Sequence, residues 1–180
     1  MSQALIPTGQ LLERQPLGSA SNRQYLCLAV GGSMYALGID VVREIQELSR
    51  LTTLPLTPDF VKGVMNLRGA VVPVIDLRAR FGLGVATTGR RSAIVIVEVG
   101  HAHPDGALVV GVLVDGVSEV LEIADEDIEP VPPLGTHIPG EFLAGISKVR
   151  DDMLAVVNVE RVLDREAMAE LMTGQTLAIH

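Results

Sequence analysis

Few side chains in this 180-residue chain stand at spacings that could carry a reaction. His101 and His103 have the i, i+2 spacing that puts two imidazoles on one face of a strand, a start toward a zinc site. No cysteine and no acidic pair at matching spacing completes a ligand set, so the segment reads as a solvent-facing loop. Asp76 and Asp115 each follow an apolar run, where an active-site carboxylate could stand. A helix cap for Asp76 and a turn for Asp115 account for them more simply. Residues 122–129 carry five acidic side chains without the alternating ligands of a calcium loop, and read as a solvated face. Cys27, the single cysteine, lies in an apolar run and reads as a buried, inert thiol. G-x-S-x-G, P-loop and G-x-G-x-x-G patterns are all missing. The expectation is no enzyme, no metal and no cofactor, which leaves binding.

Two arginines are candidates for that work. Arg68 is followed by Gly69-Ala70, and Arg150 by Asp151-Asp152. The first can project an unneutralised charge, whereas the second has carboxylates beside it. Both could equally do no more than solvate a turn. Val42 and Glu44 lie two apart, so in a strand they would share a face; the plainer account makes Val42 core and Glu44 a surface charge.

The whole composition agrees with binding to protein. A formal charge of -8 argues against nucleic acid, whose phosphates require concentrated Lys and Arg. Apolar residues at 48% imply a well-buried core, and aromatics at 3% require that core to be Val, Ile, Leu and Ala. No apolar run reaches membrane-spanning length and no secretory leader is evident, so a cytoplasmic protein without direct membrane insertion is expected.

These residues must be positioned by mostly short strands. Residues 1–24 read as a flexible extension, 25–172 as the folded domain and 173–180 as a tail. Strands are predicted over 25–30 and 34–39 around a Gly31-Gly32-Ser33 turn, then over 92–99, 107–115 and 116–123. Residues 40–45 are ambiguous between a helical turn and a strand, and 51–56 are extended. Thr57-Pro58 reads as an N-cap and first turn, predicting a short helix over 58–62 that ends at Gly63. A hairpin follows, with its turn at Arg68-Gly69-Ala70 and a buried β-branched run over 71–75. Pro73 places that strand at an edge or a bulge. Asp76 caps a helical turn through Phe81. Residues 141–144 form another such turn, and 146–150 and 153–157 another hairpin. Asn158 caps a helix through about Met172.

The order of these elements repeats. A shift of 82 lays residues 59–81 on 141–163 without a gap, matching Phe60 to Phe142, Gly63 to Gly145, Arg68 to Arg150 and Asp76 to Asn158. A shift of 75 lays 39–45 on 114–120. The chain is therefore a duplicated all-β unit, two barrels of about five strands, each small enough to need the other.

Four blocks carry a resemblance. They are residues 35–45, residues 58–78 with the pattern Lys62-Gly-Val-x-Asn66-Leu-Arg68-Gly69 and Val72-Pro-x-x-Asp76-Leu-Arg78, residues 111–120, and Ala144-Gly145 with 153–162. In this order they resemble the chemotaxis coupling protein family, CheW. The resemblance implies a mostly β fold of two intertwined five-stranded SH3-like barrels with short helical turns and a C-terminal helix. It also implies a non-enzymatic adaptor in bacterial two-component signalling. Its partners would be the cytoplasmic hairpin tip of a chemoreceptor and the regulatory domain of a CheA-type histidine kinase, so that the adaptor is associated with membrane-bound receptor arrays through protein contacts. By position, Arg68, Val42, Glu44, Asn66, Gly63 and Gly69 match the family's receptor-coupling surface, with Arg68 foremost; kinase-contacting residues are not individually assigned. The same adaptor role in a pilus-motility or surface-sensing pathway is the alternative, and a small-ligand-sensing barrel a further one.

Overall fold

The computed structural model describes residues 22–132, 138–164 and 166. Ten strands run β1 (Asn22–Val30), β2 (Ser33–Gly38), β3 (Val42–Glu47), β4 (Val61–Leu67), β5 (Ala70–Asp76), β6 (Ala93–Val99), β7 (Leu108–Val114), β8 (Gly116–Ala124), β9 (Leu143–Val149) and β10 (Asp152–Val157). Two single-turn helices, α1 (Leu77–Arg80) and α2 (Val159–Val162), follow β5 and β10. Three 3-10 turns, at Ile39–Val41, Asp125–Asp127 and Gly140–Phe142, lead into or out of strands.

The strands form two five-stranded sheets, in orders β8-β1-β2-β10-β9 and β3-β6-β7-β5-β4. Bridges Glu129–Ile146 and Thr52–Val64 turn each sheet back on itself, giving two SH3-like barrels. One barrel is built from the middle of the chain and the other from its two ends; we call them central and terminal. Their orders correspond term by term, with β3, β4 and β5 matching β8, β9 and β10, and β6-β7 matching β1-β2. Both contain one parallel pair, β5·β7 and β10·β2. The terminal copy is thus completed by the β1–β2 hairpin, the first described in the chain, and this intertwines the barrels.

Alternation sorts the strand residues into three cores. On β1, Tyr25 and Cys27 fill the terminal barrel while Leu26, Leu28 and Val30 face the other barrel. On β6, Ile94 and Ile96 fill the central barrel while Val95, Val97 and Val99 face back. These strands are buried on both faces, which is why their sequences are continuous apolar runs. The largest core lies between the barrels, with Tyr35, Phe81 and Phe142 in a tilted aromatic row at centroid spacings of 5.1 and 6.3 Å.

Three predictions of local structure are corrected. Residues 58–62 are not a helix: a turn closed by Val61 N–H to the Pro58 carbonyl passes directly into β4. The tertiary pairing of Val61 onward with β5 overrides the Thr-Pro helix-start signal. Pro73 lies neither on an edge strand nor at a bulge of its own strand, since β5 runs between β7 and β4 and the bulge is in β4. The parallel ladder with β7 begins at Val74, one residue later, so the imino nitrogen interrupts nothing on that side. The helix capped by Asn158 stops at Val162, with a turn at Leu163; the remainder of the predicted helix, through Met172, lies outside the described residues apart from Asp164, which is not helical, and Glu166.

Candidate functional site

Leu67 and Ala70 pair across the β4–β5 tip, leaving the two-residue loop Arg68-Gly69 with φ of 51° and 90°. Two successive positive φ values make a type I′ turn, whose twist matches that of the flanking strands. Gly69 adopts this conformation freely. The Asn66 side-chain oxygen accepts from Gly69 N–H at 3.0 Å and holds the turn closed. Arg68 is a costlier occupant of the left-handed region, and its side chain shows what that conformation achieves.

The Arg68 guanidinium makes a bidentate contact with the Glu44 carboxylate, Nη1 to Oε1 at 3.3 Å and Nη2 to Oε2. Glu44 is brought there by a bulge. Val42 pairs with Val97 and Glu44 with Ile96, so two steps along β3 match one along β6. Val97 faces the inter-barrel core and Ile96 the central barrel, so the bulge sends Val42 and Glu44 to opposite faces. The shared face expected from their spacing is therefore overturned. Val42 packs on the inter-barrel core, while Glu44 and Gln46 share the barrel-mouth side, where Gln46 Nε2 donates to Glu44 Oε1 at 3.0 Å. The Arg68 hydrogen bonds, with Gln46 second, hold the Glu44 carboxyl at about 2.

Arg68 does not carry an unneutralised charge, and its counterpart is no different. Arg150 bonds Glu119 bidentately, both contacts at 3.0 Å, rather than Asp151 or Asp152. Its tip, Arg150-Asp151, has φ of 51° and 70°. Glu119 stands at the matching bulge of β8. The contrast drawn from sequence neighbours fails because each arginine's partner comes from another strand.

Beside Arg68 lies a shallow groove of about 400 Å³ between the β4–β5 hairpin and β7, lined by Arg43, Leu67, Val71, Pro73 and Val109. Val71 is 70% exposed, although its β-branched run reads as buried; alternation takes Val72 and Val74 inward instead. Gly63 is buried in β4. A Cβ there would stand 2.3 Å from the Thr52 carbonyl, so its lack of side chain lets the barrel close. Arg68, Glu44, Asn66 and Gly69 thus assemble at one tip; Val42 and Gly63 support the elements beneath it. Arg43 and Val71 are additions whose only sequence signal was proximity to Arg68 and Glu44.

Elsewhere, the carboxylates act as turn and cap groups. Asp76, fully buried, accepts from Arg78 N–H (3.0 Å), Ala79 N–H (3.3 Å) and Ala86 N–H (2.8 Å). Asp115 accepts from Gly31 N–H at 2.8 Å and secures the β1–β2 turn. His101 and His103 lie in the loop between β6 and β7, where His103 Nδ1 accepts from Asp105 N–H. Among the described residues no three His, Cys, Asp or Glu side chains are grouped to hold a metal.

This arrangement can be set beside known proteins. The CheW-like domain family matches residues 24–167. The chemotaxis protein CheW of Klebsiella aerogenes is 35% identical over 152 residues, covering 84% of this chain and 88% of that protein. The protein of the same name from Rhizobium meliloti is 34% identical over 144 residues, covering 80% and 89%. The crystal structure of the scaffolding protein TtCheW from Thermoanaerobacter tengcongensis aligns with a TM-score of 0.69 at 34% identity, over 81% of this chain and 90% of that one.

Proposed function

The chain belongs to the CheW-like family, and from that premise we propose that it is a non-enzymatic scaffold coupling chemoreceptors to a CheA-type histidine kinase in chemotaxis. Residues 25–172 are the coupling unit. The receptor's cytoplasmic helical hairpin tip lies along the groove beside Arg68, and a kinase regulatory domain engages by an apolar barrel-to-barrel contact. The observation that carries the receptor assignment is the bidentate Arg68–Glu44 pair at the rim of an exposed apolar groove. A helix laid there meets apolar surface on one side and a fixed guanidinium at its edge. The names of the relatives favour the chemotactic pathway over pilus motility or surface sensing. No helix among the described residues is long and apolar enough to cross a membrane; array association runs through the receptor.

Coupling follows from differential contact. A scaffold that holds receptor and kinase in one geometry transmits only those receptor changes that alter its contacts with one state over another. The test is co-sedimentation with receptor-containing membranes, with and without the kinase. Wild-type protein is expected to join the membranes and recruit kinase, and Arg68→Ala to lose the membrane fraction while keeping its fold. Equal recruitment by Arg68→Ala would remove the groove from the receptor interface.

A further inference from the structure

The duplication reproduces more than the fold. In the central barrel, Glu44, Arg68 and Val71 stand at one mouth, and Ile45 is exposed on the face of β3 opposite to Glu44. Their counterparts in the terminal barrel are Glu119, Arg150, Met153 and Val120. The apolar members match in exposure as well as position: Ile45 46% and Val120 47%, Val71 70% and Met153 63%. Each ion pair spans bulge to hairpin tip. A second face of the same construction therefore lies on the terminal barrel, away from the groove discussed above.

What lines the two faces differs. The two charged residues lining the groove beside Arg68, Arg43 and Arg68, are each paired with a carboxylate, Glu98 at 3.2 Å and Glu44, so that groove carries no surplus charge. The terminal groove, about 350 Å³, has Glu119 and Asp152 against the single Arg150, with Asp151 at the same tip. Arg150 is already held by Glu119, which leaves Asp151 and Asp152 as surplus negative charge. Its apolar lining is Met34, Leu121, Met153 and Leu154, over a floor that includes the buried Cys27 thiol. Methionine is unbranched and polarizable, and exposed methionines suit surfaces that adapt to a partner. Strand addition is not available along the interior strands of this sheet, because β1, β2 and β10 each have two neighbours. A helix needs no backbone partner and can place an apolar stripe in such a groove.

We propose that the groove bounded by Met34, Glu119, Arg150 and Met153 is a second docking face, and that its occupant is a basic amphipathic helix of a partner protein. Apolar side chains of that helix seat against Met34, Met153 and Leu121, and flanking Lys or Arg meets Asp151 and Asp152. The inference stands on the duplicated geometry and the charge of the groove, and does not require the receptor assignment.

The test uses the full chain and an 18-residue Leu/Lys helical peptide with its leucines on one face. Binding is followed by methionine-methyl NMR, with Met34 and Met153 as reporters and Met65, buried in the central barrel, as internal control. Saturable shifts at Met34 and Met153 with Met65 unmoved are expected. Met153→Glu should weaken binding at least tenfold and Asp152→Lys several-fold, with unchanged melting temperatures. Asp127→Lys removes an acid elsewhere on the same acidic chain and should leave binding unchanged. An equal loss from Asp127→Lys would show bulk charge attraction and overturn the site. So would binding of a scrambled, non-amphipathic peptide of the same charge, saturation without shifts at the two reporters, or no binding.

Discussion

An arginine at φ 51° is held in a conformation that L side chains other than Asn and Asp rarely take, and here its guanidinium closes on Glu44. Arg68→Gly separates conformation from chemistry. Glycine is unstrained in the first position of the type I′ turn, so the melting temperature should stay at or above the wild-type value while receptor co-sedimentation is lost. Loss of both would make Arg68 a folding residue. Glu44 gives a pH prediction whose sign follows from its lowered pKa. Stabilisation by the pair is fully present above the ordinary glutamate value, near 4.3, and is lost only as pH falls through about 2. Receptor binding should thus show no Glu44-linked change between pH 8 and 5, and carboxyl-carbon NMR should find Glu44 titrating well below the ordinary glutamate value. A midpoint near 4 would mean that the pair does not persist in solution.

Among the elements, the caps and barrel closures rank by burial. Asp76 is enclosed and satisfies three backbone N–H groups, two at the start of α1 and one across the following loop. Its counterpart Asn158 is partly exposed and accepts from one donor, Arg161 N–H at 3.3 Å. Urea denaturation should show Asp76→Ala destabilised by about 2–4 kcal/mol and Asn158→Ala by about 1 kcal/mol. Gly63 and Gly145 are also counterparts, each pressed against the strand that closes its barrel. A Cβ would meet the Thr52 carbonyl at 2.3 Å in one case and Ile128 Cγ2 at 2.5 Å in the other. Gly63→Ala, with the added strain of φ 141°, should cost roughly 2–4 kcal/mol. Both caps were legible in the sequence, because a cap's residue type is nearly dictated by local geometry; Gly63 reads there as the end of a helix that does not form, and Gly145 only as its repeat match. The bulges were not legible. A one-residue slip in pairing leaves no trace in residue type, so the faces of Val42 and Glu44, and the partners of both arginines, had to come from the fold.

At the scale of the molecule, the duplication is circularly permuted, and that set how much of it the chain displayed. The blocks at shifts of 82 and 75 run in the same order in both copies and were visible. The remaining match, β6-β7 to β1-β2, places Val95 on Leu26 and Val112 on Leu37, and runs backwards in sequence order. Apolar strands buried on both faces carry too little residue identity for such a match to be read unaided. The two copies meet at a contact that sequence reasoning also passed over. Arg80 of α1 lies between the rings of Phe60 and Phe142, 4.9 and 4.7 Å from their centroids, and its Nε donates to the Val162 carbonyl at 2.8 Å. Phe60 matches Phe142 and Arg80 matches Val162, so one guanidinium touches both repeats. Half-buried, it gains from both ring faces and from a charged hydrogen bond across the barrels. Its removal should cost roughly 2–4 kcal/mol. A scaffold that transmits geometry needs its barrels held at a fixed angle, so Arg80→Met, which keeps the aliphatic packing, is the informative change. Residual dipolar couplings should show the barrels' relative orientation broadened, each barrel's internal couplings unchanged, and kinase activation by receptor weakened more than membrane binding. Unchanged orientation in Arg80→Met would assign the rigidity to the aromatic and aliphatic core alone.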